Sequence, residues 1–222
     1  MAKKPLRLTG KARPRKATSA RARIDTTAMS SSTRVESINP PIIGVGASAG
    51  GLEAFSQLLQ HLSPLSQLSF VLVQHLSPRH ESALPALLAA RTHLRVVPVT
   101  DGMPIEPGHV YVIPPNVQIT AEDRHLNVEP RPLTRSQYTP IDRFFQSLAK
   151  SEQNRALGII LSGTASDGAI GLREIKAAGG ITIVQRPETA KYDGMPRAAL
   201  ATGMVDLSLS PSEIADHLSY IE

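Results

Sequence analysis

Three side chains in this sequence are of the types that together transfer an acyl group: Ser48, His75 and Asp167. Ser48 closes the apolar run Pro41-Ile42-Ile43-Gly44-Val45-Gly46-Ala47 and is followed by the small residues Ala49-Gly50-Gly51. Leu52, Phe55, Leu58, Leu59 and Leu62 then recur at spacings of three and four, which is one face of an amphipathic helix. The stretch therefore reads as strand, tight turn, helix. The start of a helix presents unpaired N–H groups, and a serine beside them suits a nucleophile next to an oxyanion hole. His75 leaves the strand Gln67–Val73, and Asp167 lies in the polar turn Ser162–Gly168 after the buried run Ala156–Leu161. A hydroxyl that attacks, an imidazole that takes its proton and a carboxylate that fixes the imidazole tautomer make up a serine–histidine–aspartate triad.

Each of these residues also has a plainer reading. Gly44, Gly46 and Ala49 satisfy the G-x-G-x-x-A form of a dinucleotide fingerprint. That use needs a carboxylate about twenty residues on, at the end of the second strand, where this chain has Gln74-His75. Ser48 could instead only cap its helix, and Asp167 could cap the helix that follows it. His75 alone could be an ordinary surface histidine; His80 follows it, but without a third ligand the two do not make a metal site. Gly46, Ser48 and Gly50 also fit the nucleophile elbow of an α/β-hydrolase, whose triad order is Ser…Asp…His, whereas the order here is Ser…His…Asp. No cofactor and no metal are expected.

The elements that must position these residues alternate along the chain. After the first helix and second strand, a helix is expected around Leu84, Leu87 and Leu88 with Pro85 in its first turn. Strands are expected at Leu94–Val99 and Val110–Ile113, and a hairpin at Val117–Thr120 and Leu126–Val128. Glu129–Tyr138 read as a polar loop, and Thr139-Pro140 as N-cap and first position of a helix Ile141–Lys150. The strand Ala156–Leu161, the helix Ala169–Ala178 stopped by Gly179-Gly180, the strand Ile181–Val184, the helix Arg197–Thr202 and the strand Val205–Leu209 follow. Ser210 and Glu213 match a capping box for a closing helix. This order predicts an α/β fold: a mostly parallel sheet with helices on both faces, Rossmann-like and three-layered, plus an antiparallel hairpin. Right-handed crossovers then bring the strand-to-helix turns, and so Ser48, His75 and Asp167, to one edge of the sheet.

Composition divides the chain unevenly. Residues 1–38 hold ten Lys or Arg against two acids, while the remaining 184 hold 14 against 17, so the overall net charge of +5 belongs to the N-terminal stretch. That stretch is rich in Ala, Ser and Thr and reads as a disordered basic arm, with one domain from 40 to 222. No apolar run approaches the roughly 20 residues of a membrane span. The absence of cysteine excludes disulfides, thiolate catalysis and cysteine zinc sites, and agrees with a cytoplasmic location.

Taken in order, Gly44-Val45-Gly46-Ala47-Ser48-Ala49-Gly50-Gly51, Val73-Gln74-His75-Leu76, Pro107-Gly108-His109-Val110-Tyr111, Leu161-Ser162-Gly163-Thr164-Ala165-Ser166-Asp167-Gly168 and Gly194-Met195-Pro196 resemble the catalytic domain of the chemotaxis protein-glutamate methylesterases. The resemblance runs from about Pro40 to Glu222. It implies a cytoplasmic esterase that cleaves glutamate γ-methyl esters on methylated chemoreceptors or other signalling proteins, and that also deamidates receptor glutamines. It places the triad on Ser48, His75 and Asp167 and requires no cofactor, no DNA and no transmembrane segment. Family members usually carry a phosphorylatable receiver domain in front, where this chain has the basic arm. A separate response regulator or methyltransferase partner is therefore expected. Ala49 and Thr164 stand where threonine and methionine are usual. With Thr189-Ala190-Lys191-Tyr192-Asp193-Gly194-Met195-Pro196, they are similar to the branch fused to methyltransferase and sensor domains. The alternative is a non-enzymatic docking module of a signalling system that keeps the fold.

Overall fold

A computed structural model of the chain describes residues 1–2, 40–75, 83–132 and 138–221. The expectations for the basic arm beyond its first two residues, for His80 and for the middle of the polar loop after Glu129 lie outside the described residues. Everything below concerns the compact unit Ile38–Glu222.

Strand β1 (Ile42–Ala47) is buried along its whole length, which is why its sequence is a continuous apolar run rather than an alternation. Helix α1 (Gly51–His61) leads to β2 (Ser69–Gln74), α2 (Leu84–Ala89), β3 (Arg95–Pro98), β4 (Met103–Pro104) and β5 (His109–Val112). The hairpin β6 (Val117–Glu122) and β7 (His125–Pro130) precedes α3 (Pro140–Glu152). Then come β8 (Leu157–Ile160), α4 (Ala169–Ala177), β9 (Ile181–Gln185), α5 (Gly194–Leu200), β10 (Leu207–Leu209) and α6 (Pro211–Leu218). Seven strands form one sheet in the order β10-β9-β8-β1-β2-β5-β3, and among the described residues its neighbouring strands pair in parallel. The hairpin pairs antiparallel and, with β4, makes a separate three-stranded sheet.

Alternation along the strands divides the core in two. Ile43, Val45, Phe70 and Leu72 pack with α1, α2 and α6. Ile42, Val71 and Val73 pack with α3, α4 and α5. Carried one residue past each strand, the same period puts Ser48 and His75 on the side of α3. Gly44 and Gly46 lie on that side too, and their lack of side chains lets α3 settle onto the sheet. A Cβ at Gly46 would stand 2.4 Å from Ile141 and 2.8 Å from Ile160, and one at Gly44 2.8 Å from Phe145. Helix α3 meets this surface with Ile141, Phe144, Phe145 and Leu148, all buried, while Arg143, Gln146 and Lys150 face out.

The expected elements are present within a few residues, with three differences. Met103–Pro104 pairs with β7 as a two-residue strand; a turn followed by a proline carries no strand signal. Helix α5 starts at Gly194, three residues earlier than expected, because Pro196 sits in its first turn where no N–H is required. Thr139 occupies the N-cap position of α3 without making a side-chain capping bond. The capping box of Ser210 and Glu213 is formed in both directions.

Because the seat of α3 depends on bare backbone, Gly46→Ala is expected to cost about 1–3 kcal/mol of unfolding free energy through overpacking. Urea denaturation of the variant checks this; an unchanged midpoint would mean that α3 shifts without cost.

Candidate active site

The chain runs from β1 to β2 on one side and comes back to place β8 on the other side of β1, so the strand order reverses beside β1. In open parallel sheets such a reversal opens a crevice at the carboxyl ends of the strands. The turns after β1 and β8 supply Ser48 and Asp167 to that edge, and His75 follows β2 there.

Ala47 and Gln74 are partners in the last register position of β1 and β2, and Ser48 and His75 are the next residues of the two strands. The turn holding Ser48 is fastened from several directions. Its N–H donates to the Ser162 carbonyl at 3.0 Å, and its carbonyl accepts the Gly51 N–H at 2.9 Å. Gly50 takes the left-handed backbone (φ 75°) that closes the turn, and a Cβ there would meet the Ser162 hydroxyl at 2.6 Å. That hydroxyl donates to the Ala49 carbonyl at 2.9 Å and accepts the Tyr192 N–H at 3.0 Å. Gln185 Oε1 in turn accepts the Ser162 N–H at 2.8 Å. Ser162 thus ties together the loops after β1, β8 and β9. Across from it, a Cβ added to Gly163 would lie 2.9 Å from that of Ser48, so the serine side chain rests against the β8 loop. Among the described residues, the N–H groups of Ala49 and Thr164 donate to no acceptor, and both residues are exposed.

His75 Nε2 donates to Asp167 Oδ2 at 2.9 Å; the histidine side chain is 30% exposed and that of the aspartate 6%. This contact occupies one ring nitrogen and leaves Nδ1 as the other. Asp167 also accepts the backbone N–H groups of Ile141 (3.1 Å) and Asp142 (2.9 Å) at the start of α3. It therefore does cap a helix, but not its own. It does for α3 what Thr139 was expected to do, and the partial positive charge of that helix end suits a carboxylate. Helix α4 has Gly168 (φ 96°) at its N-cap position, with no side-chain cap from its own segment. Asp142 Oδ1 instead accepts Gly168 N–H at 2.9 Å and Gly171 N–H at 2.7 Å. Burial pushes the Asp142 carboxyl above its ordinary range; the Gly171 N–H opposes this and the Asp167 charge adds to it.

Tyr138 flanks the histidine, with ring centroids 6.5 Å apart, and donates its hydroxyl to the Val117 carbonyl at 3.1 Å. The Arg131 guanidinium lies 4.0 Å from the tyrosine ring centroid. Burial raises the Tyr138 hydroxyl above its usual range, against the pull of Arg131, and the Asp167 charge adds to the rise. Among the described residues no group of three or more metal-ligating side chains is gathered.

Asp142, Tyr138 and the Ser162–Gln185 pair were not singled out from sequence. An acid in the first turn of a helix is so common that Asp142 carries no mark of its partner 26 residues away. The Ser162-Gly163 turn was visible, but not the reach of its hydroxyl.

A seven-stranded parallel sheet covered on both faces, with its polar side chains gathered where the strand order reverses, defines a doubly wound α/β protein. The family model for CheB methylesterase matches residues 43–218, and the chain belongs to that family. A Rhizobium johnstonii protein-glutamate methylesterase/protein-glutamine glutaminase is 33% identical over 178 residues, 78% of this chain and 48% of its own. A Myxococcus xanthus protein of the same description is 33% identical, covering 81% of this chain and 53% of that one. The chain thus spans about half the length of these curated relatives. It is also 43% identical over 139 residues, 61% of its length, to 14% of an uncharacterized 104.1 kDa protein of Rhodobacter capsulatus. A match embedded in so long a chain fits the branch in which this domain is fused to others. The Thermotoga maritima CheB methylesterase catalytic domain superposes with a TM-score of 0.75 at 24% identity, over 83% of this chain and 100% of that one, and so shares the fold.

The raised Asp142 carboxyl has a signed consequence for stability. Below the ordinary aspartate range, about pH 3.9, both folded and unfolded chains hold the proton. As pH rises through that range the unfolded chain ionises first, so this group lowers stability until Asp142 itself ionises, after which the cost is constant. Asp142→Asn retains an oxygen for the two N–H groups without the charge. Its stability relative to the native chain is expected to improve as pH rises from the acid range toward neutrality, read by urea denaturation across pH. A difference that does not vary with pH would contradict this.

Proposed function

We propose that this chain hydrolyses γ-methyl esters of protein-bound glutamate through Ser48, His75 and Asp167. The observation that carries the reading is the His75–Asp167 hydrogen bond at the strand edge, with Ser48 the residue that follows the adjoining strand. The Ser48 hydroxyl attacks the ester carbonyl while His75 takes its proton. Since Nε2 is held by Asp167, Nδ1 is the nitrogen left for that transfer. Asp167 keeps the ring in that orientation and stabilises its cation. The N–H groups of Ala49 and Thr164 are the donors left for the oxyanion, and because they are backbone groups they tolerate the side-chain changes at both positions. The tetrahedral adduct collapses, His75 returns the proton to the departing methoxide, and methanol leaves. Water, activated by the same imidazole, then attacks the acyl-enzyme to release glutamate and Ser48. The same steps on a glutamine release ammonia, which fits the double description of the named relatives.

The substrate that follows is a methylated chemoreceptor or a similar signalling protein in the cytoplasm, with a response regulator or methyltransferase as a separate partner. Among the described residues no helix is long and apolar enough to cross a membrane. Beside the serine turn lies a cleft of about 340 Å³ bordered by Gly50, Glu53, Gln57, Thr189 and Lys191, which Ser48, His75 and Asp167 do not line.

Methanol release from methylated receptor cytoplasmic domains tests the reading. Removing the nucleophile of a well-studied triad costs on the order of 10⁶ in turnover and removing the aspartate about 10⁴. Methanol leaves more readily than an amine, so smaller losses are expected here in the same rank order, with Ser48→Ala and His75→Ala the most impaired and Asp167→Asn less so. Equal rates for native chain and Ser48→Ala would overturn the assignment. No release by folded native chain from several receptors would favour the docking module.

Every proposed site residue lies beyond Pro40. Deleting residues 1–38, which hold a net charge of +8, is expected to leave turnover of a small soluble ester unchanged. Any effect should fall on association with large acidic substrates and weaken with added salt. A large loss on the small ester would place the arm within the folded unit.

A further inference from the structure

We propose that Asp142 is a positioning residue for the His75–Asp167 pair, holding Asp167 in place by clasping the backbone that follows it. The inference rests on the assignment of His75 and Asp167 to the reaction, and adds a residue that touches neither substrate nor histidine.

Four hydrogen bonds carry it. The Asp142 N–H donates to Asp167 Oδ1 at 2.9 Å, and the Asp142 carboxylate accepts the N–H of Gly168, the residue bonded to Asp167, at 2.9 Å. Together with the intervening peptide these contacts close a ring: Asp142 backbone, Asp167 carboxylate, Asp167–Gly168 peptide, Asp142 carboxylate. The Gly171 N–H at 2.7 Å extends the hold one turn into α4, and the Ile141 N–H at 3.1 Å secures the oxygen that faces His75. Each helix start is completed by a carboxylate from the other's segment.

An ordinary cap would not have this effect. A serine or threonine in the turn before α4 would satisfy the same N–H groups and stabilise that helix alone. Asp142 instead fastens α4 to the very residue of α3 whose N–H holds Asp167. The Gly168 backbone it grips is in a demanding conformation, φ 96°, and a Cβ there would stand 2.4 Å from Ile160 and 2.7 Å from Ile141. Without the Asp142 acceptor, this tightly packed corner loses the bond that orients the peptide next to Asp167. Asp142 is itself only 6% exposed, so solvent is a poor substitute for these partners. A misplacement of about 1 Å in a group that orients a reacting residue costs on the order of 10²-fold in rate.

The test compares Asp142→Ala and Asp142→Asn in the full chain, below the unfolding temperature of each. Steady-state hydrolysis of a small methyl ester is read together with the proton NMR resonance of the hydrogen-bonded His75 ring N–H. In Asp142→Ala, kcat is expected to fall about 10- to 100-fold with KM within about twofold, and the ring N–H resonance to broaden or vanish. In Asp142→Asn, which keeps an oxygen for both N–H groups, kcat is expected within about threefold of the native chain and the resonance retained. If Asp142→Ala does not fold, Asp142→Ser, too short to reach both N–H groups, takes its place. Unchanged kcat in the folded Ala or Ser variant overturns the proposal, as does an equal loss in Asp142→Asn. Should the native chain hydrolyse no ester, the function falls, but the resonance still decides this inference: its persistence in the Ala variant, or its absence from the native chain, overturns it.

Discussion

The site depends on the way two helix starts are completed. The first N–H groups of any helix lack partners within it, and burying them unpaired is costly. Helices α3 and α4 solve this for each other: Asp167 takes the N–H groups of Ile141 and Asp142, and Asp142 takes those of Gly168 and Gly171. Two acids are thereby buried within one small region, a poor arrangement for packing alone. What it achieves is orientation. A carboxylate gripped by two backbone donors on one side has a defined face left for a third, and His75 takes it.

The rest of the fold serves that junction. Glycines 44 and 46 let α3 approach β1 closely enough for its first turn to reach the loop after β8. The reversal of strand order beside β1 brings that loop next to the serine turn. Ser162 and Gln185 then couple the serine turn to the loops after β8 and β9, so the two halves of the site rest on a common scaffold rather than on independent loops.

Much of this could be read from the residues. The spacing of Leu52, Phe55, Leu58 and Leu59 marked α1, the apolar runs marked β1, β2, β8 and β9, and the alternation of strands with helices implied a parallel sheet with its turns on one edge. Ser48, His75 and Asp167 were legible because each follows such a run. What stayed hidden was everything carried by contacts between distant segments. Thr139 looked like a cap because local pattern favours threonine before proline, yet the donors it would serve are taken by an aspartate 28 positions later. Asp167 looked like a cap for the helix that follows it, and local pattern had no way to name the helix it does cap. Asp142 had no local signature, since an acid near a helix start is ordinary and its role depends on what stands opposite.

The strand order also has a temporal side. His75 and Asp167 are 92 residues apart in sequence, and β8 pairs with β1 only after the hairpin and α3 have been made. Contacts of such long separation form against a large loop-closure cost, which slows folding. As the chain emerges from the ribosome, β1 and β2 are complete long before β8, so one edge of the fully buried strand β1 waits without a partner. An open apolar edge is the feature that draws chains into aggregates. The strand that leads into Ser48 is thus both the centre of the finished sheet and a part of the nascent chain that waits for protection.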